Sequence, residues 1–134
     1  MIPARMGSSR FPGKPMAPIL GKPMIQRVLE AAAEFAGASE TIVATCDLVI
    51  KTFVEGLGHK AVMTSSEHER ASDRCREAVA ILESELGVTF DLVVMVQGDE
   101  PMLSPQMLHE AVYPFQNDPN VVVSNLRARI KNGK

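Results

Sequence analysis

The sequence predicts an α/β domain of three layers, with helices on both faces of a mainly parallel sheet. Three observations carry that expectation. Short β-branched runs without polar alternation, at Thr41–Thr45, Ala61–Thr64 and Phe90–Val96, read as strands buried on both faces. Segments of helical period stand between them. With 46% hydrophobic residues, 4% aromatic residues and no Trp, the core has to be built from Val, Ile, Leu, Met and Ala, which suits packed layers. At 134 residues the chain is at most one ordinary domain.

The elements follow in chain order. Ile2–Pro15 reads as a loop that should follow a buried strand, of which only Met1 and Ile2 stand before Pro3. After the turn-rich Met16–Lys22, Pro23 suits the first position of a helix. Met24, Ile25, Val28, Leu29 and Ala32 then form an apolar stripe of helical period that ends before Gly37. A strand at Thr41–Thr45 leads to a helix from about Leu48 to Leu57, stopped at Gly58, and Ala61–Thr64 is the next strand.

A third helix is expected from about Ser72 to Leu86, capped by Ser72 or Asp73, with Ala78, Val79, Ile81, Leu82 and Leu86 inward. Phe90–Val96 is the most buried-looking strand of all. Ser104-Pro105 opens a helix to about Phe115, by the N-cap and first-position proline rules. A final strand, Val121–Leu126, runs into the polar tail Arg127–Lys134. With a strand missing before the first loop and another starting at the end, the sequence reads as a piece of something longer.

Charge and cysteine usage bound the partners. The net charge of −2 gives no sequence-wide case for nucleic acid or an anionic membrane, so neither is expected as a partner. No apolar run approaches the about 18 residues needed to span a bilayer. No signal peptide precedes Ile2, and Cys46 and Cys75 lack ligand or staple spacing, so the expected compartment is the cytoplasm. Positive charge is local instead, and local charge suits a small anion.

That charge sits in the first loop. Arg5, Arg10 and Lys14 supply three fixed cations, Gly7 and Gly13 let backbone approach a ligand, and Ser8 and Ser9 add hydroxyls. Gly13-Lys14-Pro15 is not a P-loop, which needs Ser or Thr after the Lys. A basic surface turn is the plainer alternative. Two further polar segments, Thr45–Asp47 and Gln97–Pro101, stand where parallel strands should end, and right-handed crossovers would gather all three on one side of the sheet. Together they offer cations for a triphosphate and carboxylates for a divalent metal. Asp99 beside Gly98 is the candidate metal ligand; as a plain turn carboxylate it would cap its own loop. Glu100 either supports it or is solvated.

The strings "IPARMGSSRFPGKP", "GKPMIQRVLEAA" and "VQGDEPM" resemble the CMP-KDO synthetases, the 3-deoxy-manno-octulosonate cytidylyltransferases. The resemblance implies a Rossmann-like fold of the nucleotide-diphospho-sugar transferase type, with residues 1–134 forming the N-terminal portion of a nucleotidyltransferase domain. It implies Mg²⁺-dependent transfer of CMP from CTP to a 2-keto sugar acid, with KDO favoured and pyrophosphate released, in the synthesis of lipopolysaccharide or surface-glycan precursors.

Carried over position by position, the resemblance puts Arg5 and Lys14 on the phosphates, with Ser8, Ser9 and Arg10 as further loop contacts. It turns the Ala4 backbone to the cytosine, Gln97 to the sugar acid and Asp99 to the catalytic Mg²⁺. Asp47 is a further substrate contact by the resemblance, although Thr45-Cys46-Asp47 departs from the two consecutive Asp that many relatives have there. His68, Asp73 and Arg74 keep register with the segment before the third helix, and Ser72 replaces a similar hydroxyl. Arg70-Ala71 departs from a Ser-Gly pair there, which leaves base and sugar open. An acylneuraminate or sugar-phosphate acceptor, and an inactive nucleotide-binding module, stay as alternatives. The resemblance also puts a second metal-binding Asp, most of the sugar pocket and a homodimer surface beyond Lys134. The chain alone is therefore expected to bind nucleotide weakly and turn over poorly.

Overall fold

The computed structural model describes residues 1–7 and 10–126. The chain opens with β1 (Ile2–Ala4), then a loop that ends in a single 3-10 turn at Lys14–Met16. A small hairpin, β2 (Pro18–Ile19) and β3 (Lys22–Pro23), delivers the chain to α1 (Met24–Ala33). Its two turn residues, Leu20 and Gly21, both have positive φ (49° and 83°), the backbone twist that lets two short strands pair directly. Arg27 braces the turn by donating to the carbonyls of Ile19 and Leu20. Pro23 thus ends β3 and stands immediately before the helix rather than inside it.

There follow β4 (Ile42–Thr45), α2 (Leu48–Gly56), β5 (Lys60–Met63), α3 (Ala71–Leu86) and α4 (Pro105–Asn117). The main sheet is parallel with order β1-β4-β5, Val43 lying opposite both Ile2 and Ala61. All four residues of β4 are buried, as an apolar run without alternation requires. Alternate residues pack on opposite faces: Val43 joins Ile25, Val28 and Leu29 of α1 and Ile50 and Val54 of α2. Ile42 and Ala44 join Ala78 and Leu82 of α3. The expected three layers are therefore present, and the sequence-predicted helices fall within a few residues of their positions.

The structure corrects several local expectations. Phe90–Val96 forms no regular strand, and Leu92, Val93 and Met95 are 37%, 43% and 43% exposed, with only Val96 buried. Among the described residues its strand-like pairing is with the start of the chain. Met1 N donates to Val94 O at 2.9 Å and Val96 N–H to Met1 O at 2.9 Å, the bonding pattern of a parallel pair. A segment paired along one edge and packed along part of one face cannot be buried as a central strand is. Val121–Leu126 forms no strand either, with Val122 85% exposed; the tail 127–134 lies outside the described residues.

Arg70 occupies the N-cap position of α3 without a side-chain cap, so neither Ser72 nor Asp73 fills that role, and both are exposed. Leu86, expected inward, lies in the last turn and is exposed. Ser104 does cap α4, accepting from the Met107 N–H.

The segment 94–96 lies on the far side of β1 from β4. The chain thus moves outward from β1 through β4 to β5, then returns to the other flank of β1. That reversal is a topological switch point, and the crevice outside the carboxyl ends of the strands there is where open α/β sheets bind ligands.

Candidate active site

A cleft of about 410 Å³ opens at that point. Three segments wall it: the end of β1 with its loop, the stretch that precedes and opens α3, and Gln97–Asp99. Gly98 lies close against the end of β1, since a Cβ added there would stand 2.8 Å from Pro3 O and 3.5 Å from Ala4 Cβ. Only a residue without a side chain lets the two strand ends lie this close.

Of the sequence-predicted residues, Ala4, Arg5, Arg10, Lys14, His68, Arg74, Gln97 and Asp99 line the cleft. Ser8 and Ser9 lie outside the described residues. Lys14 and Asp99, far apart in sequence, meet as an ion pair with Nζ 3.1 Å from Oδ2. The loop that carries Lys14 is closed at its neck by Gly13 N–H donating to Met6 O at 2.8 Å, with Gly13 in the left-handed region at φ 74°.

Asp47 does not line the cleft. Its Oδ2 accepts the Met6 N–H at 2.8 Å, so it pins the loop from below and leaves α2 without a side-chain cap. Ser72, Asp73 and Glu100 are exposed and also stand outside the lining. Arg74 is 3% exposed and spends its donors on protein, bonding Thr64 Oγ1 at 2.7 Å and the carbonyls of Ser65 and His68. It shapes the cleft wall more than it offers a free charge.

Sequence reasoning missed Glu77. One turn along α3 from Arg74, its carboxylate accepts the Ser65 N–H at 3.2 and 3.1 Å and bonds His68 Nε2. The His68 bond, then the Ser65 bond, hold the Glu77 carboxyl below its usual pKa. The one trace in the sequence is its i, i+3 spacing from Arg74 on the helix. Arg74 and Glu77 together tie the 64–68 stretch to α3.

The lining carries Arg5, Arg10, Lys14, Arg70 and Arg74 against Glu69 and Asp99, a local excess of positive charge in a chain of net charge −2. Among the described residues, no hydrogen bond or ion pair engages the guanidinium of Arg5, Arg10 or Arg70. Converging uncommitted cations in a concave site suit a polyanion. Among the described residues there is no cluster of three or more His, Cys, Asp or Glu placed to hold a metal. Asp99 is half exposed at the rim, which fits a hard cation held by one carboxylate and completed by phosphate oxygens and water. Among the described residues no helix is long and apolar enough to cross a membrane.

A parallel sheet with a cation-lined cleft at its switch point and a carboxylate among the cations has the layout of an α/β protein that binds an anionic ligand. Comparison with known proteins specifies the family. The family model described as Cytidylyltransferase matches residues 1–134, and the chain belongs to that family. The 3-deoxy-manno-octulosonate cytidylyltransferase of Geotalea uraniireducens is 46% identical over 131 residues, 98% of this chain and 50% of that protein. The enzyme of the same name from Trichlorobacter lovleyi is 42% identical over 131 residues, again 98% of this chain and 50% of that protein. The 8-amino-3,8-dideoxy-manno-octulosonate cytidylyltransferase of Shewanella sp. (strain W3-18-1) is 48% identical over 119 residues, 89% of this chain and 47% of that protein.

Among solved structures, a CMP:2-keto-3-deoxy-manno-octonic acid synthetase complexed with CTP superimposes with TM-score 0.77 at 42% identity, covering 90% of this chain and 47% of that one. A cytidylyltransferase from Leptospira borgpetersenii shares the fold, with TM-score 0.67 at 23% identity, over 89% of this chain and 48% of that one. The chain thus spans about half the length of the curated relatives it matches.

Proposed function

We propose that the chain forms the CTP-binding half of an enzyme that transfers CMP from CTP to a 2-keto sugar acid, with Mg²⁺ as cofactor and KDO as the favoured acceptor. The observation that carries this reading is the meeting of Lys14 and Asp99 in one cleft, a cation of the kind that suits a phosphate against a carboxylate of the kind that suits a divalent metal. The similar synthetase complexed with CTP supports the choice of nucleotide, and the names of the relatives support the choice of acceptor.

The residues divide the work by their chemistry. Arg5, Arg10 and Lys14 bind the triphosphate and stabilise the charge that grows on pyrophosphate as it leaves, each charge-assisted contact contributing about 2–4 kcal/mol to the transition state. Asp99 would hold the metal, which when bound supplies charge neutralisation on phosphate oxygens and a lower pKa for the attacking hydroxyl. That hydroxyl's oxygen forms a new bond to the α-phosphorus while the bond to the β-phosphate oxygen breaks in line. Gln97, which lines the cleft two residues before Asp99, would contact the acceptor acid. The Shewanella relative favours a second acceptor, the 8-amino sugar acid, which would use nearly the same pocket.

A thermal melt of the chain with CTP, UTP, GTP and ATP, each with and without Mg²⁺, tests the reading. A cooperative transition raised selectively by CTP with Mg²⁺ is expected, with little turnover from this half alone. An unresponsive melt, or a response to another nucleotide, would refute it, and robust pyrophosphate release by the chain alone would refute the expected weakness.

A further inference from the structure

Met6 is held from three directions. Its N–H donates to Asp47 Oδ2 at 2.8 Å, its carbonyl accepts the Gly13 N–H at 2.8 Å, and its side chain packs against the core shared by α1, α2 and β4. Arg5 stands immediately before Met6 and Lys14 immediately after Gly13, so the two cations flank this neck of the loop. Whatever fixes the neck fixes how far apart they stand.

Asp47 reaches the neck because the sheet has just ended. Ala4 is the register partner of Thr45, and Met6 and Asp47 each lie two residues further on. Past the last paired residues, the carboxylate supplies the acceptor that a carbonyl of the neighbouring strand would supply within the sheet. The backbone of Asp47 is itself fixed, its N–H donating at 3.1 Å to Oγ1 of the fully buried Thr45.

The same carboxylate stands where a helix would use it. Asp47 is the N-cap residue of α2: its backbone is extended, at φ −108° and ψ 120°, and its carbonyl accepts the Lys51 N–H at 3.1 Å. Asp is among the residues preferred at that position, because its side chain can accept one of the orphan N–H groups of the first turn. Here it does not, and α2 begins without a side-chain cap. A carboxylate withheld from its own helix and turned to a loop serves the loop.

We infer that Asp47 is a positioning residue for the first loop: by holding the Met6 N–H it keeps Arg5 and Lys14 at the spacing a triphosphate needs before the ligand arrives. The inference rests on the nucleotide reading of the cleft. A loop fixed in advance binds more tightly because it has less freedom to lose. Electrostatics alone points the other way, since a negative charge near the cations weakens their attraction for a polyanion. Removing that charge therefore gives effects of opposite sign under the two accounts.

Asp47→Ser separates them. The serine hydroxyl is one bond shorter and does not reach the Met6 N–H, but serine is a preferred helix cap. The new cap offsets the lost bond, so the melting temperature should stay within about 5 °C of wild type. Asp47→Asn removes the charge and keeps an acceptor of the same reach. Amide exchange of the ligand-free chain, followed by NMR, reports the neck. NMR titration with CTP and Mg²⁺ reports affinity, and weak binding suffices.

Expected is slow exchange at the Met6 amide in the wild type and D47N and fast exchange in D47S. CTP should bind about tenfold more weakly to D47S, and D47N should recover most of that loss. Where the wild type binds CTP, free exchange at its Met6 amide, an unchanged affinity in D47S, or a loss in D47N as large as that in D47S would overturn the inference and leave the cleft a nucleotide site. A melting temperature of D47S that falls in step with its affinity would overturn it too, making Asp47 a residue of the fold alone. A wild-type chain with a protected Met6 amide that binds no nucleotide would instead overturn the reading of the cleft, and the purpose assigned to Asp47 with it.

Discussion

Lys14 and Asp99 are each about half exposed, so their 3.1 Å ion pair contributes little to stability, at most about 1 kcal/mol. Its interest is that the two groups satisfy each other before any ligand arrives. A phosphate drawn to Lys14 frees Asp99 for metal, and metal on Asp99 frees Lys14 for phosphate, so CTP and Mg²⁺ should each tighten the other's binding. Asp99→Asn should leave the melting curve nearly unchanged without ligand yet abolish the extra stabilisation that Mg²⁺ gives with CTP. Chelation by EDTA should do the same to the wild type; a retained Mg²⁺ effect in the variant would place the metal elsewhere. Glu77 sets a second expectation at this scale. Its carboxyl pKa lies below the usual 4.5 when folded, so the folded state binds fewer protons than the unfolded state in that range. The stability it supplies is complete above 4.5 and is lost as pH falls through the depressed value. Denaturant titrations of wild type and E77Q should therefore differ at neutral pH and converge on the acid side of 4.5, and a constant difference would contradict the assignment.

Elements were legible where their causes are local. The stripe Ile25, Val28, Leu29, Ala32 and the unbroken apolar run Ile42–Thr45 specify a helix and a doubly buried strand by period alone, and both occur. The cleft loop was legible from its cations and glycines, and Asp99 from its place after an apolar run. The bond that Asp47 makes was not legible, because its partner, the Met6 N–H, is 41 residues away and no spacing reveals it. Glu77 was invisible for the same reason, being one polar residue among several on α3. The expected burial of Phe90–Val96 failed because burial belongs to neighbours, and among the described residues this segment is paired along one edge only. Gly98 joins the two kinds of cause: a local sequence feature whose necessity appears only when Pro3 O is found 2.8 Å from where its Cβ would stand. Gly98→Ala should push the segment off β1, destabilising by about 1–3 kcal/mol in chemical denaturation. It should also weaken CTP binding, because Asp99 moves with it; an alanine variant of wild-type stability would show that the contact relaxes freely.

At the scale of the whole molecule, the chain has half the length of its curated relatives and a sheet with an open flank. Beyond the segment 94–96 no further strand follows among the described residues, and Leu92, Val93 and Met95 are partly exposed there. Close by, a cavity of about 350 Å³ runs among Phe35, Ile42, Leu82, Phe90, Val94 and Leu108, and its lining shares no residue with the cationic cleft. Unpaired backbone beside exposed apolar side chains is a template for pairing with another chain. The isolated chain should therefore self-associate with rising concentration in sedimentation velocity, while the cationic cleft, at the carboxyl ends of the strands, stays open. Met95→Lys places a charge on the exposed flank without touching the buried Val96, and it should shift the distribution toward monomer with no loss of CTP binding. If association were unchanged by that lysine, the open flank would not be the contact, and the exposed Val122 and Val123 would be the next surface to charge.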